Sequence, residues 1–441
     1  MDEKLRIKKL EELRNAKHEP YAYKEFTYKN NRSKMEVFLI PVDSLIFNQY
    51  NGRIGTYVKT YEKQHGPIDA STTEGEKLIV NFLWNSKKQR NEETERDIIE
   101  KGQLEYGIVT SDGIIIDGNR RCMILKKIAL ENHKTPTYFK AVILEDTYAN
   151  NTKEIRMLET TYQMGVDERV DYNAIEKYLK CKDLITDFTL YEIAKMMGIF
   201  KRDGSPDPKP IQEYLEILNL MEEYLKRYDY EGMYTRLNEE TVEGPFVDLK
   251  NYLSRHERGN VQDRDWDPQP DDLDDLKQIY FDYIRAGFRS AHGIREIGNT
   301  SKGKGIFSNK SLWESFSNKY FDEIEEGINR EEPSLEDYRK KNPTEDVEKL
   351  ISARDKDWVN KVKNKMTNNL NHMRSKLDDL NQKNAPLILL EKALSSLQAV
   401  DTEVSTFDES LLPIVKEIGN ISYGFQKEIK KKIKGKEKQS K

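Results

Sequence analysis

Gly113-Ile114-Ile115-Ile116-Asp117-Gly118-Asn119-Arg120-Arg121-Cys122 reads as a buried strand, a tight glycine turn and a helix opened by two arginines. A turn of this kind makes an anion site. Glycine at the strand end lets backbone approach a ligand closely. The first N–H groups of the helix point outward at the positive end of its dipole, and two guanidiniums add forked donors for phosphate oxygens. The plain alternative is an arginine pair bridging local carboxylates. Just upstream, the β-branched run from Gly107 to Ile116 is broken by Ser111-Asp112-Gly113, a hairpin signal. Cys122 to Leu130 reads as a helix and Tyr138 to Leu144 as a further strand. Strand character also runs from Met35 to Ile40, after a short amphipathic helix over 3–17 with Leu5, Leu10 and Leu13.

From 151 on, helix dominates. Thr189-Leu190-Tyr191-Glu192 spells a capping box, and Gly198 ends the helix it opens. After a loop rich in Pro and Gly over 201–210, Ile211, Leu215, Leu218, Met221 and Leu225 recur at helical spacing. Tyr280, Tyr283, Ile284 and Phe288 read as core. Arg285, Arg289, His292 and Arg295 beside them read as a solvated helix face or a second basic contact. Asn342, Pro343 and Glu345 look like a helix start. Behind them Val347, Ile351, Trp358, Val362, Met366, Leu370, Met373, Leu377 and Leu380 approach a coiled-coil seam, and Leu387, Leu390, Leu394 and Leu397 repeat it after Pro386. The expected fold class is α+β, a small mixed-sheet domain followed by all-α domains with long C-terminal helices. Its expected parts are an N-terminal helix or arm over 1–34, the sheet domain over 35–150, a helical domain over 151–230, a helical region over 231–330 and long helices over 331–441. These last form a dimerising arm or a plain bundle.

Composition narrows the function classes. The 441 residues carry 73 Lys and Arg against 78 Asp and Glu, a net of −5. No run approaches the ~18 apolar residues of a membrane span. The N-terminal stretch lacks the apolar core of a signal peptide, so the cytoplasm is the expected compartment and no membrane partner is expected. Two cysteines, Cys122 and Cys181, make neither a disulfide framework nor a four-thiolate zinc site. The charge is unevenly placed. Residues 427–441 hold eight Lys and two Glu, so the other 426 carry −11, and 221–280 alone carries −8. Lys430-Lys431-Lys432 is then either a solvated tail or a mobile contact for a phosphate backbone.

The Asp117–Arg121 string resembles the phosphate-binding box of the ParB/sulfiredoxin superfamily, and further boxes follow in that family's order. Asn48-Gln49-Tyr50-Asn51-Gly52-Arg53 is similar to its Asn-Pro-x-x-x-Arg box, and Ile98 to Gln103 to its helix–Gly–strand element. Met157-Leu158-Glu159-Thr160-Thr161-Tyr162-Gln163 sits where ParB carries Glu-Asn-x-x-Arg. Tyr172-Asn173-Ala174-Ile175-Glu176 and the capped helix at 189–197 fall where ParB begins its helix-turn-helix domain. The resemblance covers roughly 35–225. It implies a site for CTP or another NTP with Mg²⁺, a DNA-associated role and a homodimer. Carried over by position, Arg53, Gly118, Asn119, Arg120 and Arg121 would bind nucleotide and Glu159 would ligate the metal.

Three departures mark this chain. Thr160 replaces the Asn and Gln163 the Arg of the third box, and 54–90 looks inserted. In the second helix of the helix-turn-helix, Lys209 and Gln212 are the candidates for nucleic-acid contact, beside Glu213 and Glu216, which oppose it. Lys430, Lys431 and Lys432 are the other candidates. Sulfiredoxin chemistry is excluded because Asn119 stands where that activity needs cysteine. Two rival readings remain. One is an enzyme on the same fold, an NTPase, nuclease or phosphotransferase with Glu159 or Asp117 as base or metal ligand. The other is an interaction protein with a degenerate nucleotide site. Gly298 to Gly305, through Ser301 and Lys302, imitates a P-loop but lacks its Ser/Thr and its strand. Asp263, Asp265 and Asp267 imitate a calcium loop but meet Pro268 where Gly is needed.

Overall fold

Alternation within the central strands decides which layers the sheet separates. The computed structural model describes residues 2–16, 19–29, 31–132, 137–166, 172–238, 242–257, 265–289, 293–300, 303–403 and 408–439. Asp263, His292, Ser301 and Lys302 lie outside them. Five strands, β1 (Ala22–Tyr28), β2 (Asn31–Pro41), β3 (Gly107–Val109), β4 (Ile115–Asp117) and β5 (Tyr138–Ile143), form one sheet in the order β1-β2-β5-β3-β4. Only β3 and β5 run parallel; the other neighbours are antiparallel. Phe38, Ile40, Ile115, Phe139 and Ala141 face one layer with Leu10, Val58, Ile79, Phe82 and Cys122. Phe26, Val37, Ile108, Ile116 and Val142 face the other with Ile155 and Leu158. Neighbouring residues on one strand thus serve opposite cores, as a period of two requires. Both faces are covered, which is why these strands read as continuous apolar runs.

Helices α1 (Glu3–Asn15), α2 (Gly55–His65), α3 (Thr73–Ser86), α4 (Lys88–Lys101) and α5 (Asn119–Asn132) belong to the sheet region. The stretch that reads as an insertion, 54–90, is therefore α2, α3 and the start of α4. The arm before 35 differs from expectation in one respect: β1 pairs with β2 across a turn at Lys29, whose φ is +51°. The polar run Asn31-Arg32-Ser33 hides the pairing because β1 and the start of β2 form an exposed sheet edge. On α1, Leu10 is buried but Leu5 is exposed; Arg6 turns inward and donates to the Asp112 carbonyl at 2.7 Å.

Beyond the sheet lie α6 (Thr152–Thr160), a π-helical turn (Thr161–Val166), α7 (Ala174–Leu184), α8 (Leu190–Met196), α9 (Lys209–Arg227), α10 (Glu243–Glu257), α11 (Pro270–Arg285), the short α12 (Arg295–Gly298) and α13 (Lys310–Tyr320). Then follow α14 (Leu335–Lys341), α15 (Val347–Gln398) and α16 (Leu412–Gln439). The Thr189/Glu192 capping box forms as the sequence predicts. Asn342 does not open α15. It closes α14, which a Ser334/Asp337 capping box nucleates, and Asp346 accepts the Glu348 N–H at 2.8 Å instead.

The chain forms two compact units, Met1–Met373 and Arg374–Lys441. In the first, the α15 seam is spent inside the chain: Ile351, Trp358, Val362, Met366, Leu370 and Met373 are all buried. Tyr283 donates to the Met366 carbonyl there. In the second unit α15 continues as helix through Pro386, and Leu387, Leu390, Leu394 and Leu397 are exposed, as are Ile414, Ile421, Phe425 and Ile429 of α16. Among the described residues, no helix is long and apolar enough to cross a membrane.

Candidate functional site

The glycine turn is built by packing. Gly118 has φ +100°, and a Cβ there would come within 2.6 Å of Phe139 Cζ, so the turn excludes any side chain. The glycine's requirement is the phenyl ring beneath it. Asn119, expected to bind nucleotide, is buried: its Nδ2 donates to the Ile115 carbonyl at 2.8 Å and its Oδ1 accepts the Asn48 N–H at 2.9 Å. It pins the box to the 48–53 loop. Arg121 donates through Nη2 to Asp117 Oδ2 at 2.9 Å, and Lys24 Nζ lies 3.3 Å from the same oxygen. Burial alone would raise the Asp117 carboxyl, but the Arg121 and Lys24 charges outweigh it and hold it below the usual range. Asp117 and Arg121 are thus paired with each other at the strand end.

Arg120 takes the other direction. Successive helix positions are ~100° apart, and Arg120 joins Arg53 in lining a cavity of about 390 Å³. Arg53 comes from the turn Gly52–Ile54, held by its own N–H donating to Asn51 Oδ1 at 3.0 Å, with its guanidinium 5.5 Å from the centre of the Tyr172 ring. Arg53 Nε and Nη2 and Arg120 Nε are buried without a hydrogen-bond partner, and among the described residues neither guanidinium has an ion-pair partner. Burial, then the like charge of Arg53, pushes the Arg120 guanidinium down to about 10. Two half-buried cations facing one cavity, with buried nitrogens that lack hydrogen-bond partners, favour the arrival of an anion.

The remaining wall comes from residues to which the sequence assigns no role in the site. Lys87, between α3 and α4, lines the cavity, as do Asn173, Glu176 and Asn238. Glu176 accepts from the Thr56 hydroxyl at 2.6 Å and from its N–H at 3.2 Å; burial outweighs these bonds and raises its carboxyl to about 7. Asn238 donates to Thr56 Oγ1 at 2.9 Å. Lys87 was hidden in the apparent insertion, and Asn238 in a region without motifs. Glu176, three residues after the N-cap Asn173, carries only a first-turn helix signal.

Glu159, the expected metal ligand, has no exposed surface and does not line this cavity. Its Oε2 lies 2.7 Å from Lys180 Nζ, and its Oε1 accepts from Asn48 Nδ2 at 3.0 Å and Gln163 Nε2 at 3.2 Å. Among the described residues no group of three or more His, Cys, Asp or Glu converges. Mg²⁺ asks for open oxygen ligands and retained waters, whereas this carboxylate is enclosed and already neutralised by a lysine. The donor set does not fit the ion. Gln163, in the place of the family's arginine, instead accepts from the Tyr172 hydroxyl at 2.7 Å.

The helix pair is separated by a tight hairpin. Phe200 bridges Pro206, Lys201 N–H donates to the Ser205 carbonyl at 2.7 Å, and Gly204 sits at φ +80°. On α9, Lys209 and Gln212 are exposed, but Gln212 donates to Glu216 at 3.0 Å. Glu213 and Glu216 lie within 3.7 Å and 3.5 Å of Lys250 on α10, which covers that face. Lys430, Lys431 and Lys432 are exposed on α16 and are helical.

Other sequence features resolve as structure. Arg285 is neither a solvated face nor a basic contact: it is buried, lies 2.9 Å from Asp355 and packs 4.4 Å from the Trp358 ring centre. Arg295 pairs with Asp248 at 3.0 Å. The P-loop imitation is a two-residue ladder, β6 (Asn299–Thr300) against β7 (Gly303–Lys304). Asp265 accepts the Lys310 N–H at 2.9 Å and so caps α13.

No protein-family model matches the chain, and no curated protein matches it. Among solved structures, the chain is similar to one described as "Structure of the C2221 form of Pnob8-like ParB-N domain", at 14% identity over 60% of this chain and 93% of that one, with a TM-score of 0.29. A TM-score of that size does not establish a common fold.

Proposed function

We propose that the chain binds a nucleotide, CTP or another NTP, and associates with DNA, its phosphates meeting Arg53 and Arg120 in the 390 Å³ cavity. The observation that carries this reading is the pair of half-buried arginines whose enclosed nitrogens, Arg53 Nε and Nη2 and Arg120 Nε, have no hydrogen-bond partner. An apolar or neutral ligand would leave their repulsion standing, and a polyphosphate removes it. Gly118, Asn119 and Arg121 hold the turn that aims Arg120. Lys430, Lys431 and Lys432, exposed on one helix, supply a salt-sensitive contact to DNA phosphates. The exposed leucines of 387–397 supply a surface for a homodimer. Titrating CTP, ATP and GTP against the wild type and Arg120→Ala tests the reading. Wild-type binding that the variant loses supports it, and a wild type that binds none of the three overturns it.

One observation favours an enzyme. Glu176 stands on the cavity wall with a carboxyl raised to about 7, suited to proton transfer at neutral pH. Nucleotide turnover that survives in Glu159→Gln but is lost in Glu176→Gln is the result expected of an NTPase.

A further inference from the structure

The Glu159–Lys180 pair lies at the third of the boxes from which the nucleotide site is read, and its geometry is that of a carboxylate with its cation already in place. Lys180 Nζ is 2.7 Å from Glu159 Oε2. Both side chains are almost wholly enclosed, at 0% and 5% exposure. The second carboxylate oxygen is used by two amide donors, Asn48 and Gln163. Admitting a divalent cation here requires expelling a buried ammonium and leaving it without a counter-ion, which is strongly unfavourable. The cavity side carries three cations and two carboxylates, and Glu243, the second carboxylate, already accepts from the Tyr178 hydroxyl. Arg53, Arg120 and Lys87 line it, and Glu176 is held by Thr56 with a carboxyl that is half-neutral near pH 7.

We propose that this site takes its polyphosphate ligand free of Mg²⁺, with Lys180 serving as a built-in cation for Glu159 and the guanidiniums alone meeting the phosphates. The proposal rests on the nucleotide reading above and departs from what the family resemblance implies about the metal. A nucleotide without Mg²⁺ is more negative than its Mg²⁺ complex, so a cavity with two arginines that lack ion-pair partners prefers it. The Glu159–Lys180 pair then acts by position: it ties α6 to α7 and, through Asn48, to the loop that carries Arg53.

The test is a calorimetric titration of the full chain with CTP, ATP and inorganic tripolyphosphate, each in excess MgCl₂ and in EDTA. The expected result is affinity in EDTA equal to or tighter than in MgCl₂, for the nucleotide that binds and for tripolyphosphate. Loss of about tenfold or more in affinity on chelation overturns the proposal while leaving the nucleotide reading intact. Absence of binding in both media overturns both. Lys180→Met alone buries an unpaired carboxylate and endangers folding, so the second arm is Glu159→Gln combined with Lys180→Met. This neutral pair keeps the shape, and the proposal expects whatever affinity it retains to be no weaker in EDTA than in MgCl₂. If the double variant folds with wild-type melting behaviour but loses binding specifically in MgCl₂, Glu159 is a metal ligand and the proposal is wrong.

Discussion

Arg120→Met should make the ligand-free protein more stable while abolishing its affinity for polyphosphate. Holding the guanidinium at about 10 against an ordinary 12.5 corresponds to about 3 kcal/mol against the charged form at neutral pH. The sign follows from the depressed value of a base. The unfolded chain keeps its arginine charged at no cost, the folded chain does not, and the penalty is constant below about pH 10 and relieved only above it. Methionine keeps most of the aliphatic stem, so lost packing offsets part of the gain, and a net stabilisation of about 1–3 kcal/mol is expected. For a cooperative unit the size of Met1–Met373, an unfolding entropy of ~2.1 cal/mol/K per residue converts this to a rise of about 1–4 °C in Tm. Scanning calorimetry in phosphate-free buffer measures it. Adding tripolyphosphate should then raise the wild-type Tm and leave the variant unmoved. A variant that melts lower than wild type, or that gains as much from tripolyphosphate, would refute the idea that Arg53 and Arg120 are a strained pair awaiting an anion.

Three further outcomes are expected. Glu176→Gln removes a carboxyl whose folded value is raised from 4.5 to about 7. Wild-type stability from this group is present below about pH 4.5 and lost as pH rises through about 7, so the variant's advantage in unfolding free energy, read from denaturant titrations, should grow across that window by up to roughly 3 kcal/mol and then level off. Gly118→Ala should cost roughly 2–5 kcal/mol, combining a left-handed backbone with a collision against Phe139; a urea titration that shows no loss contradicts the packing account of the turn. Replacing Lys430, Lys431 and Lys432 together by Gln should flatten the dependence of log K for duplex DNA on log salt by about 2.7; an unchanged slope in fluorescence anisotropy excludes these lysines as phosphate contacts.

Where local chemistry determined conformation, the sequence was legible. The Ser111-Asp112-Gly113 hairpin, the Thr189/Glu192 cap and the strand–glycine–helix box all form, because each is set by residues within a few positions of one another. Three things were not legible. The exposed strand β1 lacks an apolar run because its neighbours are solvent and a single partner. The α15 seam looked like a surface for a second copy, yet up to Met373 it packs within the chain, a distinction that periodicity does not carry. Glu159 matched its box by position, but its fate depends on Lys180, twenty-one residues on and one helix away. Likewise the cavity is completed by Lys87 and Asn238, which nothing near them in the chain announces.

The two arginines of the box share a peptide bond but live in different environments. One is neutralised by Asp117 four residues back, the other is left bare in a cavity. Adjacent mutations should therefore be sorted by different filters. Damage at Arg121 would show first in yield and solubility, and damage at Arg120 only when ligand is offered. A screen that scores abundance alone would read Arg120 as dispensable or even disadvantageous, and would discard the residue on which the site depends.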